Sequence, residues 1–253
     1  MLRTLFGRRR HREGPVISAV DAGLRIYAIG DIHGRLDLLH RMAKLIAEDL
    51  EIDKPSASLA VFLGDYVDRG PSSRGVVDWL LAGPGPCDSQ VFLRGNHEAV
   101  LLDFLDNPGA LADWSRFGGL ETLFSYGVPL RLPLRLADFP DLQKRFAGAL
   151  PDTHRDFLKA TRLSFTSGGY FFVHAGVRPG IALAAQKSED LLWIRDEFLV
   201  SPHPAEKTVV HGHTPVAAPE LLGHRINVDT GACLTGKLSC VVLENSQRRI
   251  LMT

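Results

Sequence analysis

Asp65, Asp68 and Arg69 place two carboxylates and a guanidinium in one short loop, directly after the apolar run Leu59–Leu63. Gly64 breaks that run, Gly70-Pro71 closes the turn, and Ser72 is placed to cap the helix that follows. Such a cluster does little for stability and is well suited to holding metal ions and a phosphate. The same layout recurs along the chain. Asp31 and His33 follow Arg25–Ile29, Asn96 and His97 follow Gln90–Leu93, His174 follows Tyr170–Val173, and His211 and His213 follow Thr208–Val210. A lone histidine is more often a hydrogen-bonded structural residue than a ligand, but five strand-end sites are not five independent accidents. A mixed set of carboxylate, amide oxygen and imidazole suits two borderline-hard divalent ions such as Mn²⁺, Zn²⁺ or Fe²⁺. The positions of Cys87, Cys233 and Cys240 exclude a thiolate site.

The chemistry of such a centre follows from charge. Two divalent ions roughly 3.5–4 Å apart repel, and a carboxylate between them is the remedy. Two aspartates against two such ions leave a charge of about +2, which attracts a phosphate dianion and lowers the pKa of a bound water to near neutral. The hydroxide so formed can attack phosphorus in line. Phosphoryl transfer also needs charge stabilisation on the equatorial oxygens, which metals and bidentate arginines provide. A poor alkoxide leaving group needs a proton as well, and His97, beside Asn96, can reach over the centre with Asp68 as its carboxylate partner.

The elements that must position these groups read as α/β. Three times within the first 105 residues a short strand ends in a polar, glycine-bearing loop and a helix follows. The first of these helices has apolar residues from Leu36 to Leu50 near a 3.6 period, the second runs from about Ser72 to Leu81, and the third from Ala99 to Leu105. That rhythm implies parallel strands with all three loops at one sheet edge, the carboxyl edge where α/β sites lie. From about Asp106 to Arg162 the texture becomes helical and proline-broken, an insert that either covers one side of the site or only packs. Strands return at Tyr170–Val173 and Thr208–Val210. Arg225–Val228, Leu238–Leu243 and Arg249–Met252 read as a β-meander. His40, His154, His203 and His224 lack a strand-end context and read as surface residues. Asp229, Asn227 and Thr230 read as loop supports, and Trp193 as packing under the site.

Gly30-Asp31-x-His33-Gly34, Gly64-Asp65-x-x-Asp68-Arg69-Gly70, Gly95-Asn96-His97-Glu98, His174 and Gly212-His213 together resemble the signature of the calcineurin-like metallophosphoesterases. Within these they are most similar to the phosphoprotein phosphatases, including bacterial and phage members. The resemblance spans Arg25 to about Ala232. It implies a central β-sandwich flanked by helices, with a dinuclear metal site at the strand edge. It implies that Asp31, His33 and Asp65 bind one metal, and that Asp65, Asn96, His174 and His213 bind the other, so that Asp65 bridges. It further implies His97 as general acid oriented by Asp68, and Arg69, Arg94 and Arg195 as holders of the phosphate oxygens. His213 is chosen over His211 because Gly-His-Thr-Pro is the family form.

The resulting expectation is a metal-dependent phosphomonoesterase, with Mn²⁺ the first candidate metal and Zn²⁺ or Fe the others. It would act on phosphoserine, phosphothreonine or phosphotyrosine in proteins, or on small phosphoesters. The alternative on the same centre is a bis(5′-nucleosyl)-tetraphosphatase or another nucleotide phosphohydrolase, and a catalytically dead scaffold is the third reading. Nucleotide-cleaving relatives often lack a carboxylate at the Asp68 position and carry Asp after Asn-His, so Asp68 and Glu98 favour the protein phosphatase branch. The eukaryotic loop Ser-Ala-Pro-Asn-Tyr is missing, and Asp229-Thr230-Gly231-Ala232 is like the shorter bacterial and phage enzymes.

Composition is consistent with this reading. Hydrophobic content is 45% and charged content 23% in 253 residues, with a formal net charge of zero, so no global field points to nucleic acid or a membrane surface. No apolar run approaches the roughly 20 residues of a membrane span. Three cysteines without CxxC spacing suit a reducing compartment, and a cytoplasmic enzyme is expected. The start of the chain carries Arg3, Arg8, Arg9, Arg10 and Arg12 without the apolar core of a secretory signal. Residues 1–24 are therefore expected to form a disordered basic tail, and residues 25–253 a single metallophosphoesterase domain with its helical insert at about 106–162.

Overall fold

Side chains alternate along β1 (Leu24–Ile29): Ile26 and Ala28 go to one face, Tyr27 and Ile29 to the other, and all four are buried. In the computed structural model, which describes residues 18–131 and 133–253, that alternation divides the core into layers. Ile26 and Ala28 meet Phe172, Val210, Ile226 and Val241 between two sheets. Tyr27 and Ile29 face the helices of the first half, with Leu38, Met42, Val76 and Leu80. A third cluster, Phe171, Val173 and Val209 with Leu191, Ile194 and Phe198, covers the outer face of the second sheet.

Each sheet has five strands. In the first, β1 pairs in parallel with β2 (Ala57–Phe62), and β2 with β3 (Ser89–Phe92). The parallel crossovers are α1 (Leu36–Ile52) and α2 (Ser73–Leu81), and α3 (Asn96–Asp106) follows β3. The strand-helix rhythm therefore does set three loops on one edge. The expected start of α3 at Ala99 is three residues late: Asn96 and His97 lie in its first turn. Ser72 is at the N-cap position of α2, but its side chain makes no capping bond.

The insert contains α4 (Leu111–Trp114), α5 (Gly119–Ser125), α6 (Phe139–Ala149) and α7 (Asp152–Ala160), with a single 3₁₀ turn before each of the first three. It packs over α2 and α3 and buries Trp114, Leu123, Phe146 and Leu158 against the same core as Met42 and Val76. A fully buried side chain of this size contributes about 1.5–3 kcal/mol.

In the second sheet β4 (Ser164–Ser167) pairs antiparallel with β5 (Tyr170–Val173). β5, β6 (Thr208–His211) and β8 (Arg225–Asn227) run parallel, and the two-residue β7 (Glu220–Leu221) borders β8. Two short helices, α8 (Ser188–Trp193) and α9 (Asp196–Leu199), lie between β5 and β6. After α10 (Ala232–Thr235) the chain returns to the first sheet, where β9 (Ser239–Glu244) pairs antiparallel with β1 and with β10 (Gln247–Met252). The meander is thereby corrected: β8 belongs to one sheet and the β9–β10 hairpin to the other. Ile226 and Val228 face Val241 and Leu243 across the sandwich instead of pairing with them.

Two further corrections concern burial. Residues 18–24, assigned to the tail, run along the domain with Ser18 and Val20 buried, and Leu24 already belongs to β1. Ser18 Oγ is 2.7 Å from Thr208 Oγ1, the Ala19 carbonyl accepts from Gly169, and Val20 N–H donates to the Asn245 carbonyl. Residues 1–17 lie outside the described residues. His154, expected on the surface, is buried with both ring nitrogens engaged, Nδ1 at 2.9 Å from the Tyr126 hydroxyl and Nε2 at 3.0 Å from Asp78.

Candidate metal centre and active site

The carboxyl edges of β1, β2, β3, β5 and β6 converge, and the backbone there adopts conformations that ordinary residues avoid. Six non-glycine residues among those described have positive φ, and His33, Asp65, Asp68, Arg69 and His213 are five of them. The sixth, Asn245, is in the β9–β10 turn. Left-handed backbone at a branched or charged residue costs on the order of 1 kcal/mol and persists where its surroundings over-determine it. Here the over-determination can be traced. Glu98, fully buried in α3, accepts hydrogen bonds from the backbone N–H groups of Asp65 and Gly95 at 2.8 Å on one oxygen, and of Tyr66 (2.8 Å) and Val67 (3.3 Å) on the other. Burial pushes its pKa up to about 7 against the N–H groups of Gly95, Asp65 and Tyr66. Gly64 and Gly95 make this close approach: a Cβ on Gly64 would lie 2.4 Å from the Gly95 nitrogen.

One group of donor atoms gathers around Asp65 Oδ1. His174 Nδ1 donates to the Leu63 carbonyl at 3.0 Å, which leaves its Nε2 with a lone pair. That nitrogen lies 2.8 Å from Asn96 Oδ1, 3.2 Å from His213 Nδ1 and 3.5 Å from Asp65 Oδ1. His213 Nδ1 is itself 2.9 Å from Asn96 Oδ1, and its Nε2 is buried without a partner. Four acceptor atoms therefore face each other, and the protons available to them are those of His213 Nδ1 and of the Asp65 carboxyl, which burial holds well above the usual carboxylate range. Neither neutral tautomer of His213 satisfies the ring. A divalent cation is the charge this donor set fits.

The second group lies on the other side of Asp65. His33 Nδ1 donates to the Val67 carbonyl at 2.9 Å, so its Nε2 presents a lone pair 3.5 Å from Asp65 Oδ2. Asp31 is set further toward β6: its carboxylate accepts the His213 backbone N–H at 3.1 and 3.2 Å, and a Cβ on Gly212 would meet it at 2.1 Å. Asp229 touches Asp31. Burial first, and then their mutual repulsion with Asp65, hold Asp31 well above the usual carboxylate range. Two carboxyls in contact share either a proton or a cation. Burial drives His33 and His213 well below the usual imidazole range, and His174 down to about 3, so each offers a neutral nitrogen.

His97 belongs to the first turn of α3. Its Nδ1 is 2.6 Å from Asp68 Oδ2, and its Nε2 is 3.1 Å from Arg69 Nη2 and 3.8 Å from Asp65 Oδ2. His97 also gathers with His33 and Asp65, the ligand atoms of all three lying within 4.8 Å of one another, but Arg69 donates to Nε2, the lone pair a metal would need. Burial, helped by Arg69 and Arg195, lowers its pKa to about 3, and burial raises that of Asp68 to about 7.

Asp68 shows what the insert does. Its Oδ2 also accepts from Trp114 Nε1 at 2.8 Å, its Oδ1 from Thr122 at 2.6 Å, and its backbone N–H donates to Thr122 and Ser73. The Arg69 N–H donates to the Gly118 carbonyl at 3.0 Å. The insert thus reaches the active pair and fixes Asp68 from two directions. Sequence reasoning gave no role to Trp114 or Thr122 and read Glu98 only as a marker of the family branch, not as the group that holds the loop backbone. The Gly95-x-x-Glu98 capping pattern and the Gly118-Gly119 pair were the available signals.

Of the three arginines, Arg69 and Arg195 face the site. Arg195 is exposed at the N-cap of α9, and its charge helps to lower the pKa values of His97, His174 and His213. Arg94 is not at the site. Its guanidinium caps the C-terminal end of α7, donating to Lys159 O at 2.8 Å, Leu158 O and Thr161 O at 3.3 Å, and Thr161 Oγ1 at 3.0 Å. The carbonyl end of a helix is a strong competitor for a guanidinium. Asn227 and Thr230 support loops as expected, bonding Thr214, Asp229 and Lys237.

Two carboxylate-imidazole groups that share one aspartate at a sheet edge and could hold metal ions, beside a histidine–aspartate pair and the guanidinia of Arg69 and Arg195, fit the class of metal-dependent phosphoester hydrolases. The sequence profile of the calcineurin-like phosphoesterases matches residues 24–235, and the chain belongs to that family. Its catalytic competence as a phosphoester hydrolase accords with the relatives it matches. It is 23% identical over 232 residues to the bis(5′-nucleosyl)-tetraphosphatase PrpE [asymmetrical] of Anoxybacillus flavithermus, covering 84% of this chain and 88% of that one. It is 25% identical over 244 residues to the protein of that name from Bacillus cereus, covering 83% and 87%. Among solved structures, a cold-active protein tyrosine phosphatase superposes with a TM-score of 0.57 at 16% identity, covering 93% of this chain and 82% of that one. That likeness is one of fold.

Proposed function

We propose that this chain is a phosphomonoesterase of the protein phosphatase type, acting on phosphorylated side chains and small phosphoesters. The observation that carries the reading is the buried His97 Nδ1–Asp68 Oδ2 contact of 2.6 Å, aimed over the ligand groups and held by Trp114 and Thr122. A site that only needed to release a good leaving group, such as a nucleoside polyphosphate, would have little use for so well supported a proton donor.

Asp31, His33 and Asp65 would hold one divalent ion, and Asp65, Asn96, His174 and His213 the other. Bound there, the ions would supply Lewis acidity and a water of lowered pKa. Mn²⁺ is the metal we propose, with Zn²⁺ or Fe the alternatives, because the donors combine carboxylate and amide oxygens with imidazole nitrogen and include no sulfur. Arg69 and Arg195 bind the equatorial phosphate oxygens. When phosphate draws Arg69 away, His97 Nε2 is freed, and the phosphate's negative charge favours its protonation. Asp68 stabilises the imidazolium and keeps Nε2 pointed at the leaving oxygen. Cys87, Cys233 and Cys240 are all unpaired, which suits the cytoplasmic location we propose, and no helix among the described residues is long and apolar enough to cross a membrane.

The second reading is asymmetrical cleavage of bis(5′-nucleosyl) tetraphosphates, favoured by the names of the curated relatives. A side-by-side assay of phosphopeptides and diadenosine tetraphosphate with Mn²⁺ decides between them. Greater kcat/KM for the phosphopeptides supports our reading, and much faster nucleotide cleavage reverses it.

A further inference from the structure

Two large aromatic side chains at the mouth of the site belong to none of the hydrophobic clusters. Phe117, from the insert, is 39% exposed, and Trp193, at the end of α8, is half-buried. The Phe117 ring centre lies 6.2 Å from that of His97 and 6.4 Å from that of Trp193, and Trp193 lies 6.4 Å from His213. These rings form an arc from the proposed proton donor to the metal-ligand group. Phe117 leaves two-fifths of its surface open to solvent beside His97, and its position is built in. Gly118 has φ +97, and a Cβ there would meet the Arg69 nitrogen at 2.6 Å; a Cβ on Gly119 would enter the Trp114 ring at 2.4 Å. Only glycines let the insert press Phe117 down beside Arg69 and His97.

The leaving oxygen of the ester must come within hydrogen-bond reach of His97 Nε2. A ring bonded directly to that oxygen then reaches the Phe117–Trp193 pair. A nucleobase, held away from its phosphate by a ribose, passes beyond it. We propose that Phe117 and Trp193 form a leaving-group subsite for an aromatic ring carried on the ester oxygen, so that the site favours aryl phosphates such as phosphotyrosine over alkyl phosphates such as phosphoserine. The inference rests on the phosphomonoesterase reading above. In the step concerned, water oxygen forms the new bond to phosphorus. The bond from phosphorus to the phenolic oxygen breaks with its electron pair going to that oxygen, which takes its proton from His97. Phenol and inorganic phosphate leave.

Aryl phosphates hydrolyse more readily for chemical reasons alone, so the test is a change in ratio. The kcat/KM values of one peptide carrying phosphotyrosine, and of the same peptide carrying phosphoserine at that position, are measured with the Mn²⁺-loaded full chain. Phe117→Ala should lower the phosphotyrosine-to-phosphoserine ratio about tenfold, in keeping with the loss of ring burial and a ring–ring contact. Phe117→Tyr should restore it, and Trp193→Phe should lower it less. Equal losses on both peptides would overturn the subsite and mark Phe117 as structural. A loss confined to diadenosine tetraphosphate would overturn it in favour of a base-binding ring. Absence of turnover on every monoester by the wild-type chain would instead overturn the reading beneath it.

Discussion

The two ends of β1 both carry charge clusters, and they are built on opposite principles. At the start of the strand Arg25, only 2% exposed, donates to Glu244, Asp53 and Asp49 side chains and to two backbone carbonyls. Asp49 also accepts from Tyr27 at 2.6 Å and from Arg249. Every cation there meets anions, and none of these residues has positive φ. At the far end of the strand Asp31 and His33 enter a cluster of carboxylates and lone pairs that repel one another on a strained backbone. Burying like charges is expensive and strained loops add to the cost. The first cluster therefore stabilises the sandwich, while the second spends stability to hold a site for cations and phosphate.

Substitutions at the two ends should then have opposite effects, and the largest is expected at Asp65. Asp65→Asn should cost at least about 10³-fold in turnover, since several kcal/mol of charge stabilisation depend on the shared carboxylate. It should also remove the stabilisation expected from Mn²⁺ in the wild-type chain, about 2.7 kcal/mol at one hundred times the dissociation constant, read as a rise in melting temperature. A variant that keeps both would erase the contrast. His97→Asn should lower turnover by about 10²–10⁴-fold for alkyl phosphates and much less for activated aryl phosphates, with metal content unchanged by elemental analysis. Loss of metal would move His97 into the ligand set.

Trp114→Phe keeps the ring and removes one donor from Asp68. Turnover should fall about tenfold and stability by about 1–3 kcal/mol, read by denaturant titration. At the other end of β1, Arg25→Ala should leave kcat/KM within about twofold while costing about 1–3 kcal/mol, because it removes a buried side chain and the cation shared by the half-buried Asp49 and Glu244. The sign of the pH effect also differs. Asp49 is held below its ordinary value by Arg249, Tyr27 and Arg25, despite burial. Its contribution is complete above the ordinary Asp pKa of about 4 and is lost as pH falls through the lower folded value. Asp49→Asn should therefore flatten the acid limb of the stability curve and leave the neutral region displaced downward.

What could be read from the sequence was local. Each apolar run that ends in glycine with a carboxylate or imidazole announces a strand and its edge, so β1 to β3, β5 and β6 and their ligand candidates were visible together. What was hidden depends on partners distant in the chain. Arg94 sits next to the active loop, yet its direction is set by α7 carbonyls more than sixty residues on. The meander failed because strand pairing is chosen by sandwich packing: Ile226 lies opposite Val241, and periodicity does not reveal that. Trp114 and Thr122 looked like ordinary helix residues, since nothing local shows that a buried carboxylate 46 or 54 residues earlier needs donors. His154 likewise found Asp78 and Tyr126 by tertiary contact alone.

The central claim is that Asp65 joins two cation sites into one phosphoester-hydrolysing centre. It is tested most directly by stripping the purified chain with chelator and titrating Mn²⁺ back, while bound metal and turnover of an aryl phosphate are recorded on the same samples. The account predicts no turnover in the stripped protein and recovery that saturates at about two ions per chain, both lost in Asp65→Asn. Full turnover in protein verified to be free of metal, or saturation at one ion in wild type, would contradict it.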